Sequence, residues 1–332
     1  MLNLRRAKLT AVGHYLPERC VTNKDLEKIV DTSDEWIAER TGIRERRVVA
    51  KGQATSDLGA EAAKLALQRR GMDAAEVDLI IVATVTPDMF FPSSACLLQH
   101  KIGAKNAWAF DLSGACSGFI YALATAAQFV VSGAHERVLV VGADVMTSIL
   151  NFEDRATCVL FGDGAGAVLL EPAAPGEEGV MDFLFRSDGS GGQFLYMPGG
   201  GSLHPPSVET IQRKMHFVHQ DGKNVFKFAV RGMAEVSQEI LARNCMTVAD
   251  LKLYVPHQAN LRIIRAAMDK MNLDESRVAI NIDRYANTTA ATIPICLSES
   301  VENKRIQRND KILLASFGAG FTWGALLLRW EY

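Results

Sequence analysis

The sequence predicts an α/β protein built from two similar halves, and three observations carry that reading. Apolar, β-branched runs alternate with helical stretches along the chain, the pattern of mixed sheets covered by helices. Segments of the first half recur in order in the second, the first three of four pairs at an offset of roughly 170 residues, far beyond the period of a solenoid. Finally, GACSGF around Cys116, VPHQAN around His257 and YANTTAA around Asn287 each follow an apolar run (WAFDL, LKLYV and VAINI). Each segment would then leave the C-terminal end of a strand, where open α/β sheets gather their ligands.

In chain order, SDLGAEAAKLALQRRG (56–71) reads as a helix, with Ser56 as its N-cap and Gly71 as its stop. VDLIIVATVTP (77–87) has the composition of a buried strand and is echoed by LKLYVPHQAN (251–260). WAFDLSGACSGFIYAL (108–123) gives strand, turn and apolar helix, and AINIDRYANTTAATIPICL (279–297) repeats that order. RVLVVGADV (137–145) pairs with KILLASFGAG (311–320), and AGAVLLEP (165–172) with WGALLLRW (323–330). NLRIIRAAMDKM (260–271) is a further helix by its periodicity. Two insertions belong to the first half alone: TSILNFEDRATC (147–158) and the Gly-rich RSDGSGGQFLYMPGGGSLHPP (186–206). The second is too long for a plain connector and reads as a lid or dimer loop. The halves should divide near Pro172–Gly179, giving residues 1–175 and 176–332.

Composition narrows the function. At 332 residues the chain is long enough for two domains or one large α/β unit. A formal net charge of -2, with no basic tail, argues against nucleic acid as a partner. The six cysteines are scattered with no CxxC pair, so neither a disulfide framework nor a structural zinc site is expected. Cys96, Cys245 and Cys296 lie among aliphatic residues in helical patterns and read as core. The N-terminal segment lacks an apolar signal-like stretch, and the apolar helix from about Phe119 to Val131 is too short to span a bilayer. The expectation is a cytoplasmic enzyme that neither enters nor crosses a membrane.

The three site segments fit one chemistry. A buried Cys is usually a small core hydrophobe. Cys116 differs because Ser113, Gly114, Ala115, Ser117 and Gly118 leave room for a substrate above the sulfur. It also opens a helix, whose N-terminal N–H groups and dipole favour thiolate. His257 at a strand exit and Asn287 at the repeat equivalent of the Cys116 turn complete a Cys-His-Asn acyl-transfer site. SFGAGF (316–321) reads as a tight hairpin in which the Gly318 N–H, with that of Cys116, could hold a developing oxyanion. FGDGAGA (161–167) is no dinucleotide fingerprint, because a strand follows it instead of a helix, and GGGS (199–202) is no phosphate loop. His216 and His219 have no accompanying carboxylate cluster and read as loop histidines, so no metal site is expected.

These segments resemble the β-ketoacyl-acyl-carrier-protein synthase III family, the initiating condensing enzymes of bacterial type II fatty acid synthesis. The resemblance spans the chain through DTSDEWIAERTGIRERR (31–47), FPSSACLLQ (91–99), AFDLSGACSGFIYAL (109–123), FGDGAGAV (161–168), VPHQANLRII (255–264), NIDRYANTTAATIP (281–294) and SFGAGFTWGA (316–325). It implies the thiolase fold, two βαβαβαββ halves in five α-β-α-β-α layers, and a homodimer. It implies Cys116 as nucleophile, with His257 and Asn287 as the decarboxylation pair. Trp36, Arg40 and Arg155 match coenzyme A contacts, and Phe226 an aromatic beside the decarboxylation site. Phe91 matches the residue that reaches into the partner's acyl pocket. Gln258, Ala259, Asn260, Leu261 and Arg262 match the carrier-docking segment, and helical spacing adds Arg265 and Lys270.

The implied reaction acylates Cys116 from a short acyl-CoA. Decarboxylative condensation with malonyl-acyl carrier protein follows, with acyl-CoA as a substrate and no cofactor. Asn287 stands where elongating synthases carry a second His, and SFGAGF lacks the second Cys of degradative thiolases. TVTPD lacks the Glu of hydroxymethylglutaryl-CoA synthases, and the CGSCW-type context of papain-like hydrolases is missing. A secondary-metabolism paralogue with the same triad is the alternative. Ala286 departs from the family's usual glycine before the Asn.

Overall fold

In a computed structural model, which describes residues 5–332, two main sheets stack with helices between and outside them. The first sheet orders its strands as Ala7–Tyr15, Asp163–Pro172, Val138–Val145, Leu79–Ala83 and Trp108–Leu112. The last three run parallel, and the first two join through antiparallel ladders. The second sheet orders Leu253–Pro256, Lys311–Gly318, Thr322–Arg329 and Val180–Ser187. Its first pair is parallel and the others antiparallel.

Sequence pattern explains the layers. Every residue of Val138–Val145 is buried, as a strand covered on both faces requires. The helix Gly118–Val131 is apolar almost all round, and Thr292–Glu302 buries eight of its eleven residues. Helices of that kind belong in an interior, and these two form the layer between the sheets. Phe119, Leu123, Ile293 and Leu297 pack in one cluster with Val140 and Val168 of the first sheet and Leu314 and Leu326 of the second. Thr55–Arg70 and Ser94–Ile102 cover the outer face of the first sheet, while Gly222–Arg243 and Leu261–Met271 cover the second. The five layers are therefore α-β-α-β-α.

Several local expectations change. Thr55–Arg70 is capped at Ala54, not Ser56; the Ser56 hydroxyl donates instead to Asp88 Oδ2 at 2.6 Å. Gly71 does end that helix, in the left-handed conformation. VAINI is not a strand: Val278 makes one parallel bridge to Tyr254, and a short helix follows over Ile282–Tyr285. The reason is Gln258, whose amide donates to the carbonyls of Pro256 and Ala279 and accepts from the Asn281 N–H. Its side chain occupies the bonds a longer ladder would use. Asn281, Arg284 and Tyr285 then all donate to Glu299, fastening the short helix to the middle layer. Of the cysteines read as core, Cys296 is buried, whereas Cys96 and Cys245 are exposed. No helix is long and apolar enough to cross a membrane among the described residues.

Candidate active site

Cys116 sits in a one-turn 3-10 helix, Ala115–Ser117, between the strand Trp108–Leu112 and the helix Gly118–Val131. The turn is tight enough to hold Ala115 at a φ of 45°, a region non-glycine residues seldom occupy. The Ser316 hydroxyl donates to the Cys116 carbonyl at 2.8 Å. Gly318 lies so close that a Cβ there would meet Cys116 N at 2.8 Å and Cys116 Cβ at 2.9 Å. Only glycine lets the end of that strand touch the turn.

The thiol is not poised as thiolate. Cys116 is 7% exposed, and burial pushes its thiol up to about 12, with the Asp144 carboxylate adding to the rise. The helix N-terminus expected to ionise it begins two residues later, at Gly118, and burial is the largest influence on the thiol.

His257 leaves the strand Leu253–Pro256 with its N–H bonded to the Ala315 carbonyl at 2.8 Å. Its Nδ1 lies 2.7 Å from Thr292 Oγ1, while its buried Nε2 has no protein partner. Burial lowers the imidazole to about 3, so the ring is neutral at physiological pH.

Asn287 is held by the other half of the chain. Its N–H donates to Leu160 O at 3.0 Å and its carbonyl accepts from Gly162 N at 3.1 Å. The side-chain Oδ1 accepts from Thr289 N at 2.9 Å. That bond fixes the amide orientation and leaves the NH2 group to donate elsewhere. Just before it, Ala286 has φ 57° and ψ −157°, a region reserved almost wholly for glycine.

Cys116, His257, Asn287 and Gly318 line one cavity of about 450 Å³, which also reaches Trp36, Arg40, Phe226 and Arg262. At the mouth, the guanidinium of Arg40 lies 4.9 Å from the Trp36 ring centre and that of Arg155 lies 5.4 Å away. Such contacts keep an aromatic face and fixed cations together. Arg262 sits 5.5 Å over the Phe226 ring. A smaller cavity of about 150 Å³ adjoins Cys116, walled by Val85, Met146, Ile149, Leu195 and Met197. Both insertions, 147–158 and 186–206, therefore contribute walls to the site, although the second follows the strand Val180–Ser187 of the second sheet and so lies in the second half. Phe91, 84% exposed, does not line either cavity of its own chain.

The docking segment divides in two. Gln258 is fully buried, and its amide serves the backbone as described, so it presents nothing to a partner. Asn260 caps the helix Leu261–Met271 through the Arg262 N–H and donates to the Arg40 carbonyl at 3.0 Å. Ala259 lines the large cavity, and Leu261 packs against Gly42. Arg262, Arg265 and Lys270 are exposed, with Arg265 paired to Glu275 at 3.4 Å.

Three features escaped the sequence reading. Lys223 lines the large cavity, as Arg262 does. Thr292 meets His257 across 35 positions. Asp144 is fully buried, accepting at Oδ1 from Thr84, Val85 and Thr86 and at Oδ2 from the Ala290 N–H. It ties a wall of the smaller cavity to the turn after Asn287, and burial raises its carboxyl to about 6. An acidic residue ending an apolar strand was the one available signal. No cluster of His, Cys, Asp and Glu that could hold a metal ion occurs among the described residues.

Comparison with known proteins completes the picture. The profile of 3-oxoacyl-[acyl-carrier-protein] synthase III matches residues 110–189, and that of its C-terminal region matches residues 241–330. A β-ketoacyl-[acyl-carrier-protein] synthase III of Koribacter versatilis is 55% identical over 333 residues, covering 100% of both chains. The chain belongs to the β-ketoacyl-acyl-carrier-protein synthase III family. It is accordingly an acyltransferase, a decarboxylating condensing enzyme with the thiolase fold. The crystal structure of 3-oxoacyl-[acyl-carrier-protein] synthase III from Aquifex aeolicus superposes with a TM-score of 0.91 at 43% identity, covering 98% of this chain and 100% of that one. A priming β-ketosynthase from a polyketide biosynthetic pathway gives 0.92 at 34% identity, covering 100% of this chain and 98% of the other.

Proposed function

We propose that this synthase starts fatty acid chains by joining a short acyl-CoA to malonyl-acyl carrier protein. The observation that carries the reading is the convergence of Cys116, a neutral His257 with an unpartnered Nε2, and an amide-oriented Asn287 on one cavity. The Cys116 sulfur attacks the acyl thioester; its proton leaves with coenzyme A, so the exchange is proton-neutral and the acyl group stays on sulfur. Malonyl-carrier then loses CO2, and the electron pair moves onto the thioester oxygen as an enolate. His257 Nε2–H and the Asn287 NH2 group donate to that oxygen. The carbanion attacks acyl-Cys116 while the N–H groups of Cys116 and Gly318 hold the oxyanion. Collapse releases 3-oxoacyl-carrier, and the Cys116 sulfur regains a proton from solvent.

Trp36, Arg40 and Arg155 hold the adenine end of coenzyme A, and Phe226 flanks the decarboxylation site. The cavity beside Cys116, about 150 Å³ against about 450 Å³ for the main one and walled by apolar side chains, suits an acetyl or similarly short starter. Exposed Arg262, Arg265 and Lys270 steer an acidic carrier protein. A second copy of the chain pairs with the edge strand Trp108–Leu112, where Trp108, Phe90 and Phe91 are exposed and an unpaired ladder faces outward. Phe91 then reaches the partner's acyl pocket. The units of this cytoplasmic homodimer divide as residues 1–175 and 176–332, and no metal or cofactor takes part.

Intact-protein mass spectrometry tests the reading: acetyl-CoA should add one acetyl group at Cys116, and malonyl-carrier should then remove it as the 3-oxoacyl product. An acetyl group on another residue, or no discharge by malonyl-carrier, would overturn it. The likeness to a polyketide priming synthase supports a second reading, starter condensation in a secondary pathway. A panel of acyl-CoA starters separates the two, since a secondary enzyme should favour a starter other than acetyl.

A further inference from the structure

The geometry points to Thr292 as the residue that sets the tautomer of His257, holding the single imidazole proton on Nε2, where it faces the substrate cavity. A neutral imidazole has one N–H and one lone pair, and the partner of one nitrogen decides the role of the other. His257 has one such partner. Its Nδ1 lies 2.7 Å from Thr292 Oγ1, and Nε2 is buried without a protein partner at the cavity that also holds Cys116 and Asn287.

The direction of the bond follows from where the hydroxyl proton can go. Thr292 has one proton and two neighbours, His257 Nδ1 at 2.7 Å and the Thr289 carbonyl at 3.2 Å. The second distance lies outside the usual span for a hydroxyl donating to oxygen, about 2.5–3.0 Å. The first is half an ångström shorter, and it sits at the short edge of the range for a ring N–H donating to oxygen, about 2.7–3.2 Å. The proton therefore points at Nδ1, which accepts, and the imidazole N–H is left at Nε2. Thr292 can hold this position because it is buried and begins the helix Thr292–Glu302, so its backbone is fixed by the middle layer.

Two consequences follow. His257 and Asn287 become a matched pair of donors, each oriented by a threonine after the Asn: Thr292 acts through its hydroxyl, and Thr289 through its backbone N–H on Asn287 Oδ1. The resting imidazole also has no lone pair toward Cys116, so it is no resident base for the thiol. Thr292 is thus a positioning residue. Its importance for turnover rests on the donor role given to His257 above, whereas the tautomer itself does not.

The test uses protein labelled with 15N-histidine, read by long-range 1H–15N correlation, with His257→Ala assigning the ring. At neutral pH the wild type should show a pyrrole-type Nε2 and a pyridine-type Nδ1. A pyridine-type Nε2 would overturn the assignment. Thr292→Val should remove the hydroxyl-bonded Nδ1 signature and slow malonyl-carrier decarboxylation about tenfold or more, the direction seen when a triad histidine loses its tautomer partner. Acetylation of Cys116 should change little, and Thr292→Ser should restore both signature and rate. A Thr292→Val spectrum identical to wild type would count against the assignment. A changed spectrum with unchanged decarboxylation would uphold it and instead overturn the donor role of His257. Should the valine variant not fold, the wild-type and serine spectra decide the matter alone.

Discussion

The Cys116 turn and the Asn287 turn occupy equivalent places in the two halves, and their contrast explains the site. Each has a residue at positive φ (Ala115 at 45°, Thr289 at 52°) opening a 3-10 turn into a middle-layer helix; Cys116 lies inside its turn, whereas Asn287 lies just before its own, so Ala290 holds the place of Cys116. Each also rests on a strand end from the opposite half. Ser316 and Gly318 meet Cys116, while Gly142 and Asp144, at the same repeat offset, meet Ala290. The backbone has been kept and the chemistry has diverged. One turn follows a full strand and presents a thiol. The other follows a short helix bolted to Glu299 and presents an amide held by Leu160 and Gly162. Crossed supports of this kind mean that neither turn is built by its own half alone.

If the two turns divide the labour as proposed, the largest effect comes from the thiol. Cys116→Ser should lower condensation by about 10⁴-fold or more, because a hydroxyl is a far weaker nucleophile and the lost residue acts with its partners as a unit. Acetyl transfer to residue 116, followed by intact mass, together with 3-oxoacyl product formation reads this directly. An acetylated serine variant with substantial turnover would break the contrast.

On the other side, His257→Ala and Asn287→Ala should each cut malonyl-carrier decarboxylation by roughly 10²–10³-fold, as for other lost oxyanion donors. Acylation of Cys116 should survive far better. Equal collapse of both half-reactions would show that the turns share one task.

The crossed supports can be struck separately. Gly318→Ala drives a methyl into the Cys116 backbone, and Gly142→Ala drives one into the Ala290 carbonyl. Misplacement by about an ångström costs up to 10²-fold. Gly318→Ala should therefore slow acetylation first and Gly142→Ala decarboxylation first, each in a single-turnover assay. The same half-reaction suffering in both would refute the pairing of strand end with turn.

Ionisation sharpens the thiol side. Alkylation of Cys116 by iodoacetamide in the substrate-free protein should keep accelerating with pH toward about 12, with no plateau near neutrality. The raised value keeps the folded thiol protonated while an unfolded thiol ionises near 9. Its contribution to stability is thus intact below pH 9 and is lost as pH rises toward 12. A neutral plateau would mean that the helix terminus outweighs burial after all.

The smallest effect tests the strained alanine of the amide side. Ala286→Gly relieves a backbone conformation costing of order 1–3 kcal/mol, offset by about 0.4–1 kcal/mol of extra unfolded-state freedom. The net should be stabilisation by about 1 kcal/mol in urea denaturation, with decarboxylation retained. Destabilisation would show that the alanine methyl contributes packing worth more than the strain.

What the sequence determined by itself was whatever local pattern encodes. Apolar, β-branched runs marked the central strands of both sheets, and helical patterns marked Thr55–Arg70, Gly118–Val131 and Leu261–Met271 but not Gly222–Arg243; the ordered recurrence of these segments gave the duplication. Small residues around Cys116 and the strand exit before His257 picked out two candidate site residues, and the repeat raised Asn287 to a third; all three line one cavity. Tertiary structure decided what depends on distant groups. Gln258 looks like a surface docking residue until the backbone of Ala279 and Asn281 closes over it. Asp144 is an ordinary strand-end acid until Ala290, 146 positions away, donates to it. Cys116 lies just ahead of a helix, yet its protonation is set by burial between two halves, and the water excluded from a site cannot be read from neighbours in sequence. Hydrogen-bond partners across the layers and desolvation are properties of the packed chain, and they decide which side chains face substrate, which serve the backbone, and which proton each one holds.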